Sequence, residues 1–110
     1  MKFQTHKDSI DKAVRIEQAR LITYRAAKYA MAGHPEAAKY SAMAKYAASE
    51  TAVAVANDAL QLHGGYGFTK DYPVEKMYRD AKILTIYEGT SQIQKNEIGA
   101  YMIKESANLK

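Results

Sequence analysis

Glu88 is the residue whose surroundings in this 110-residue sequence most invite chemistry. It stands in Tyr87-Glu88-Gly89-Thr90-Ser91-Gln92-Ile93-Gln94, one or two residues ahead of a helix start, where the helix dipole favours a carboxylate. Such a group can serve as a base, and it can equally be a dipole or capping acid, the commoner role for an acid in that place. The cluster Gly64-Gly65-Tyr66-Gly67 lacks the GK[ST] ending of a P-loop and the preceding strand of a dinucleotide fingerprint. Its backbone amides could approach a phosphate, although a plain helix-ending turn explains the glycines too. His6, His34 and His63 have no metal-ligand spacing and no serine or cysteine partner. The nine tyrosines, from Tyr24 to Tyr101, suit amphipathic core edges better than ligand stacking.

These residues must be positioned by helices. From about Lys7 to Ala32, Ile10, Ala13, Val14, Ala19, Leu21, Ile22, Tyr24, Ala27 and Met31 recur at three- and four-residue steps, predicting a long helix with a wide apolar stripe. Gly33-His34-Pro35 ends it and opens the next, and so short a turn sends the second helix back antiparallel. That helix, about Pro35 to His63, is built on alanine, with small residues mostly four positions apart (Ala38, Ala42, Ala44, Ala48, Ala52, Ala56), a seam for close packing. Met43, Tyr46, Val53, Val55 and Leu60 are expected to fill the space beside it. The glycine cluster leads into an ordered loop through Asp71, and Pro73 starts a short helix from Val74 to about Leu84. A break at Glu88-Gly89 precedes a last helix reaching about Glu105. Thr90 and Ser91 are its candidate N-caps, and Ser91 with Gln94 fits a capping box. The expected fold is a single all-α domain over residues 1–110, an antiparallel bundle of three long helices and one short one.

Composition narrows the classes. The absence of cysteine removes disulfides, thiolate metal sites and a cysteine nucleophile, and is compatible with a reducing cytoplasm, the expected compartment. The N-terminus has no apolar leader and no stretch has the length of a membrane span. The net charge of +4 is spread along helix faces with acids interleaved, as in Asp11 and Arg15, which argues against a nucleic-acid partner.

Residues 61 to 94, QLHGGYGFTKDYPVEKMYRDAKILTIYEGTSQIQ, closely resemble the C-terminal signature of the acyl-CoA dehydrogenases. Three parts recur in order: Gln61 with Gly64-Gly65-Tyr66-Gly67, then Tyr72-Pro73-Val74-Glu75 leading to Arg79-Asp80-Ala81-Lys82, then Tyr87-Glu88-Gly89-Thr90. Upstream, Ile16-Glu17-Gln18-Ala19-Arg20-Leu21 and Tyr24-Arg25-Ala26-Ala27 resemble the long helix preceding the alanine-rich one, and Ser9 to Val14 fit less well.

The resemblance implies an FAD-dependent oxidoreductase of fatty acid metabolism. The carboxylate matching Glu88 removes the α-proton of an acyl-CoA while a β-hydride passes to the flavin, giving a trans-2-enoyl-CoA. The amide at this position helps bind the thioester carbonyl. Tyr87 and Gly89 match residues bordering the thioester, and Thr90, Ser91 and Gln92 match residues contacting the flavin nucleotide. Gln61, Leu62, His63, Gly64 and Gly65 match a stretch that reaches FAD in a neighbouring subunit. Glu at position 88 points to short-chain, medium-chain, short-branched or aromatic acyl substrates. The implied electron acceptor is an electron-transfer flavoprotein. Family members also have an N-terminal helical domain, a middle β-domain and a further helix ahead of the one matched by Lys7 to Ala32. These 110 residues are therefore expected to be inactive alone, as a fragment, a truncated product or one subunit of something larger. The apolar stripes would then be covered by self-association into a symmetric dimer or tetramer. The alternative is a non-catalytic helical oligomerisation module derived from the same family.

Overall fold

A computed structural model describes residues 2–109, with side chains from Ser9 onward, so the side chain of His6 lies outside the described residues. Four α-helices are present among them: α1 (Lys2–Ala32), α2 (Ala37–His63), α3 (Val74–Ile83) and α4 (Ser91–Asn108), with a 3-10 turn at Gly64–Phe68 and no strand. Gly33 ends α1 with φ +64°, the left-handed value that glycine takes freely, and the His34 N–H reaches back to the Tyr29 carbonyl at 2.9 Å. The second helix starts two residues later than its proline suggested. The Glu36 N–H is taken by His34 Nδ1 at 3.0 Å, leaving Pro35 in the turn. The antiparallel return is visible in the pairs that link the helices: Lys12 to Asp58 at 3.2 Å, and the Arg25 guanidinium 5.0 Å from the Tyr40 ring.

α2 is the axis of the fold. The turn at Gly64–Phe68 and helices α1, α3 and α4 all pack on it, and among the described residues α1 meets no other element. The radius of gyration is 16.9 Å, against about 13 Å for a compact domain of this length. The core is correspondingly thin. Among the described residues its buried apolar members are Ala19, Ala26, Ala42, Ala44, Val74 and Ala81, and no side chain there is completely sealed. Met43, Tyr46, Val53, Val55 and Leu60 are only half-buried.

The stripe on α1 faces differently from its expected role. Residues Lys12, Arg15, Ala19, Ile22, Ala26 and Tyr29 are the ones turned to α2. Ile10, Ala13, Val14, Leu21, Tyr24, Ala27 and Met31 are exposed, because the helix has one neighbour and can cover one face only. Between α1, α2 and α3 runs an open apolar groove of about 550 Å³, floored by Ala48, Ala52 and Ala56 and flanked by Ile16, Tyr24 and Met77. α4 is fastened to α2 by Lys39, a buried amine that pairs with Glu36 at 3.1 Å and Glu105 at 2.5 Å. Glu105 and then Glu36 push its pKa up to about 12, and Lys39 in turn lowers that of Glu36. No described helix is long and apolar enough to cross a membrane.

Candidate functional site

The segment leaving α3 unwinds through successive tight turns. The Leu84, Thr85 and Ile86 amides reach carbonyls three residues back at 3.0–3.1 Å, and Tyr87 N–H bonds the Ile83 carbonyl at 3.1 Å. The chain then reverses at Glu88 and Gly89, where φ is +55° and +100°. Glu88 is the one non-glycine residue with positive φ among the described residues. A left-handed glutamate costs about 1 kcal/mol or more, so surrounding contacts must hold it there.

Two contacts do so. The Ser91 N–H closes the loop on the Thr85 carbonyl at 3.1 Å. From α2, Lys45 Nζ donates to the Leu84 carbonyl at 3.0 Å and to the Gly89 carbonyl at 2.7 Å, bracketing Glu88 from both sides. The same ammonium lies 5.8 Å from the centre of the Tyr87 ring. The buried Gln94 lies against Gly89, and a Cβ at that glycine would come within 2.6 Å of Gln94 Nε2. Lys45 is the residue holding this candidate loop that reading the sequence missed. It lies 43 positions from Glu88 in an alanine-rich helix, where a lysine reads as a solvated face.

Glu88 itself is exposed, and among the described residues its carboxylate has no hydrogen-bond or ion-pair partner. The N–H groups of Glu88, Gly89, Thr90 and Gln92 likewise find no acceptor there. α4 is capped by Thr90, whose Oγ1 accepts from Ile93 N–H at 3.2 Å. The expected Ser91–Gln94 capping box is not formed. With Thr90 as the cap, Ser91 falls at the first helical position, buried, its hydroxyl covered and unpartnered. The surface at the start of α4 is therefore made by Thr90, Gln92 and free amides. That set suits a polar or anionic group such as a flavin nucleotide.

The second cluster lies elsewhere. Gln61, Leu62, His63, Gly64 and Gly65 are all exposed at the far end of α2. The His63 Nδ1–H donates to the Ala59 carbonyl at 2.7 Å. Gly64 has φ +65°, and a Cβ at Gly64 or Gly65 would meet nothing within 4 Å. Gly67 is the confined glycine: a Cβ there would stand 2.7 Å from His63 Cβ and 2.8 Å from the Leu60 carbonyl. Lys45, at the Glu88 loop, and Gln61 are 16 residues apart along α2, about 24 Å at helical rise. One chain thus brings Tyr87, Glu88, Gly89, Thr90, Ser91 and Gln92 together and keeps Gln61 to Gly65 well away from them.

Residues 3–103 match the sequence profile of the acyl-CoA dehydrogenase C-terminal domain. The mitochondrial short/branched chain specific acyl-CoA dehydrogenase of Rattus norvegicus is 53% identical over 93 residues, which are 84% of this chain and 21% of that one. A subunit of the caffeyl-CoA reductase–Etf complex of Acetobacterium woodii is 45% identical over 95 residues, 86% of this chain and 25% of its own. The structure of butyryl-CoA dehydrogenase from Megasphaera elsdenii superposes with a TM-score of 0.86 at 40% identity, covering 93% of this chain and 27% of that one. This chain spans about a fifth to a quarter of the length of these relatives.

Proposed function

The chain belongs to the acyl-CoA dehydrogenase family, whose C-terminal domain it matches, and from that we propose that it is the base-bearing portion of an FAD-dependent α,β-dehydrogenation of acyl-CoA. The observation that carries this reading is the state of Glu88: partnerless, left-handed, flanked by free amides, and clamped by Lys45. A structural capping acid would bond to the helix it caps, and here Thr90 does that work.

In the proposed mechanism the Glu88 carboxylate removes the α-proton of the thioester. An acyl chain that shuts water out of the site makes the carboxylate a stronger base, so substrate binding itself prepares the step. The free Glu88 N–H supplies a donor for the thioester oxygen as negative charge builds there. Tyr87 and Gly89 border the thioester, and Thr90 and Gln92 face the cofactor at the start of α4, while Ser91, buried beneath them, ties the loop to the Thr85 carbonyl and offers the cofactor no free group. FAD, held through Thr90, Gln92 and the free amides at the start of α4, would supply the acceptor for the β-hydride. The length of α2 between Lys45 and Gln61, about 24 Å at helical rise, supports assigning Gln61, Leu62, His63, Gly64 and Gly65 to the cofactor of a neighbouring subunit. The open space at Gly65 suits a close approach from outside the chain. An electron-transfer flavoprotein is the proposed acceptor, in keeping with the Etf complex named for the relative from Acetobacterium woodii.

The test supplies the remaining domains from a relative cut before its matching quarter. In that assembly Glu88→Gln is expected to keep FAD and acyl-CoA binding and to lose flavin bleaching, because the near-isosteric amide cannot take the proton. Bleaching at the unaltered rate would remove Glu88 from the role. The rival reading, a non-catalytic oligomerisation module, requires that the assembly stay colourless with added FAD.

A further inference from the structure

Gln94, in the first turn of α4, is buried at 8% exposure and lies against the turn that carries Glu88. A Cβ at Gly89 would stand 2.6 Å from Gln94 Nε2 and 3.6 Å from its Cδ, so the side-chain amide meets the turn with its nitrogen first. The Gln94 backbone N–H bonds the Thr90 carbonyl at 2.9 Å, but among the described residues the side-chain amide has no hydrogen-bond partner. The Ser91 hydroxyl, three residues earlier on the same face, does not take it up and is itself unpartnered. A buried amide left in that state costs stability, and a methionine of nearly the same size would fill the space without that cost. Filling the core therefore does not explain a glutamine here.

The turn has an acceptor to match this donor. Lys45 already occupies the Gly89 carbonyl at 2.7 Å and the Leu84 carbonyl at 3.0 Å. The Glu88 carbonyl has no donor among the described residues and the Gly89 N–H has no acceptor, so the Glu88–Gly89 peptide is bonded on neither edge. The Glu88 carboxylate is exposed whereas Gln94 is buried, which makes the main chain the nearer match for a buried amide. Resting on the reading of Glu88 as the base, we propose that Gln94 is its positioning residue: Nε2 donates to the Glu88 carbonyl as the site closes around an acyl thioester, fixing the plane of the Glu88–Gly89 peptide. Such bonds in a reactive site commonly tighten only when the ligand is in place. A peptide is flat, so fixing its carbonyl edge also fixes the opposite N–H of Gly89 and the Cα of Glu88. Lys45 holds the next peptide from α2, and the two together leave the turn a single orientation. Gly89 serves this arrangement twice. Its φ of +100° is open to glycine, and only a residue without a Cβ lets the amide come so close. The carboxylate stays free to take a proton, because the donor goes to the main chain and not to the base.

Gln94→Met tests the role, both in this chain and in the assembly whose remaining domains come from a relative. In the chain alone the variant should melt at the same temperature or higher, since a buried unpartnered amide has been removed. In the assembly it should keep FAD and acyl-CoA binding within about twofold and bleach the flavin about ten- to a hundredfold more slowly, as a base displaced by a fraction of an ångström does. The pH profile of bleaching should keep its midpoint, because the carboxylate loses no partner. Gln94→Glu keeps the shape but turns an acceptor toward the Glu88 carbonyl, and it should be at least as slow. Three results would overturn the proposal. One is bleaching at the unaltered rate in both variants. Another is a lower melting temperature for Gln94→Met in the chain, which would make the residue a structural one. The last is a profile moved to higher pH by Gln94→Met, the direction expected if the lost donor had served the carboxylate itself. Glu88→Gln, measured alongside, separates this role from the reading beneath it. If that change also leaves bleaching unaltered, the base assignment fails; if it alone abolishes bleaching, only the role of Gln94 fails.

Discussion

Lys45→Met removes the ammonium that brackets the Glu88 loop and keeps the aliphatic stem, so it isolates the two hydrogen bonds to Leu84 and Gly89. A hydrogen bond from a charged donor contributes about 1.5–3 kcal/mol where it is fully shielded. Lys45 is only half-buried, and one ammonium serves both carbonyls, so the two bonds are not additive. A loss of about 2 kcal/mol is expected. That is a large share of the stability of a domain this size, the more so with a core built mainly of alanine. Urea unfolding followed by circular dichroism should show the midpoint falling by roughly 1–2 M at fixed protein concentration. Amide exchange should quicken most in residues 84–92, since the left-handed turn at Glu88 loses its restraint. Lys95→Met serves as a control, because Lys95 only overlies the Tyr46 ring at 5.2 Å. A Lys45 variant within about 0.5 kcal/mol of the unaltered chain, with unchanged exchange in the loop, would refute the clamp.

Other outcomes follow from the same geometry. Gly67→Ala should cost about 1–3 kcal/mol in a thermal melt, because its Cβ would meet the Leu60 carbonyl at 2.8 Å, while Gly65→Ala, in open space, should change little. Lys39 has its pKa raised from 10.5 to about 12 in the folded chain, so its contribution is complete below pH 10.5 and is lost as pH rises through about 12. Glu36 is shifted down from 4.5, so its share is present above that pH and disappears on acidification. Melting temperature should fall in both directions, and Lys39→Met should flatten the alkaline limb. The 110-residue chain alone should reduce no dye with acyl-CoA substrates; turnover above an enzyme-free control would contradict the need for the remaining domains.

Local rules were enough to read the helices. The 3.6-residue periodicity of α1 and α2, the glycine at 33 and the proline at 73 act within a few residues of themselves, so their effects are legible without a fold. Thr90 and Ser91 show where this kind of reading stops. Both side chains can cap, and the choice fell to Thr90 because the loop from Thr85 delivers the chain at that residue and turns Ser91 inward. The alanine seam of α2 was visible, but which alanines are covered depended on neighbours that no sequence window contains: Ala42 and Ala44 are buried, while Ala48, Ala52 and Ala56 floor an open groove.

By itself the sequence determined the helical class, the helix order and the run from Tyr87 to Gln92, because these are properties of short stretches of chain. Only the tertiary structure decided that Glu88 is left-handed and unpartnered, that a lysine from α2 clamps its loop, and that Gln61 to Gly65 lie about 24 Å along α2 from it. Only it showed that Ile10, Val14, Leu21 and Met31 of α1 stand exposed. Those facts concern groups distant along the chain, and their meeting or separation is set by how whole helices pack on α2, which spacing in the sequence does not encode.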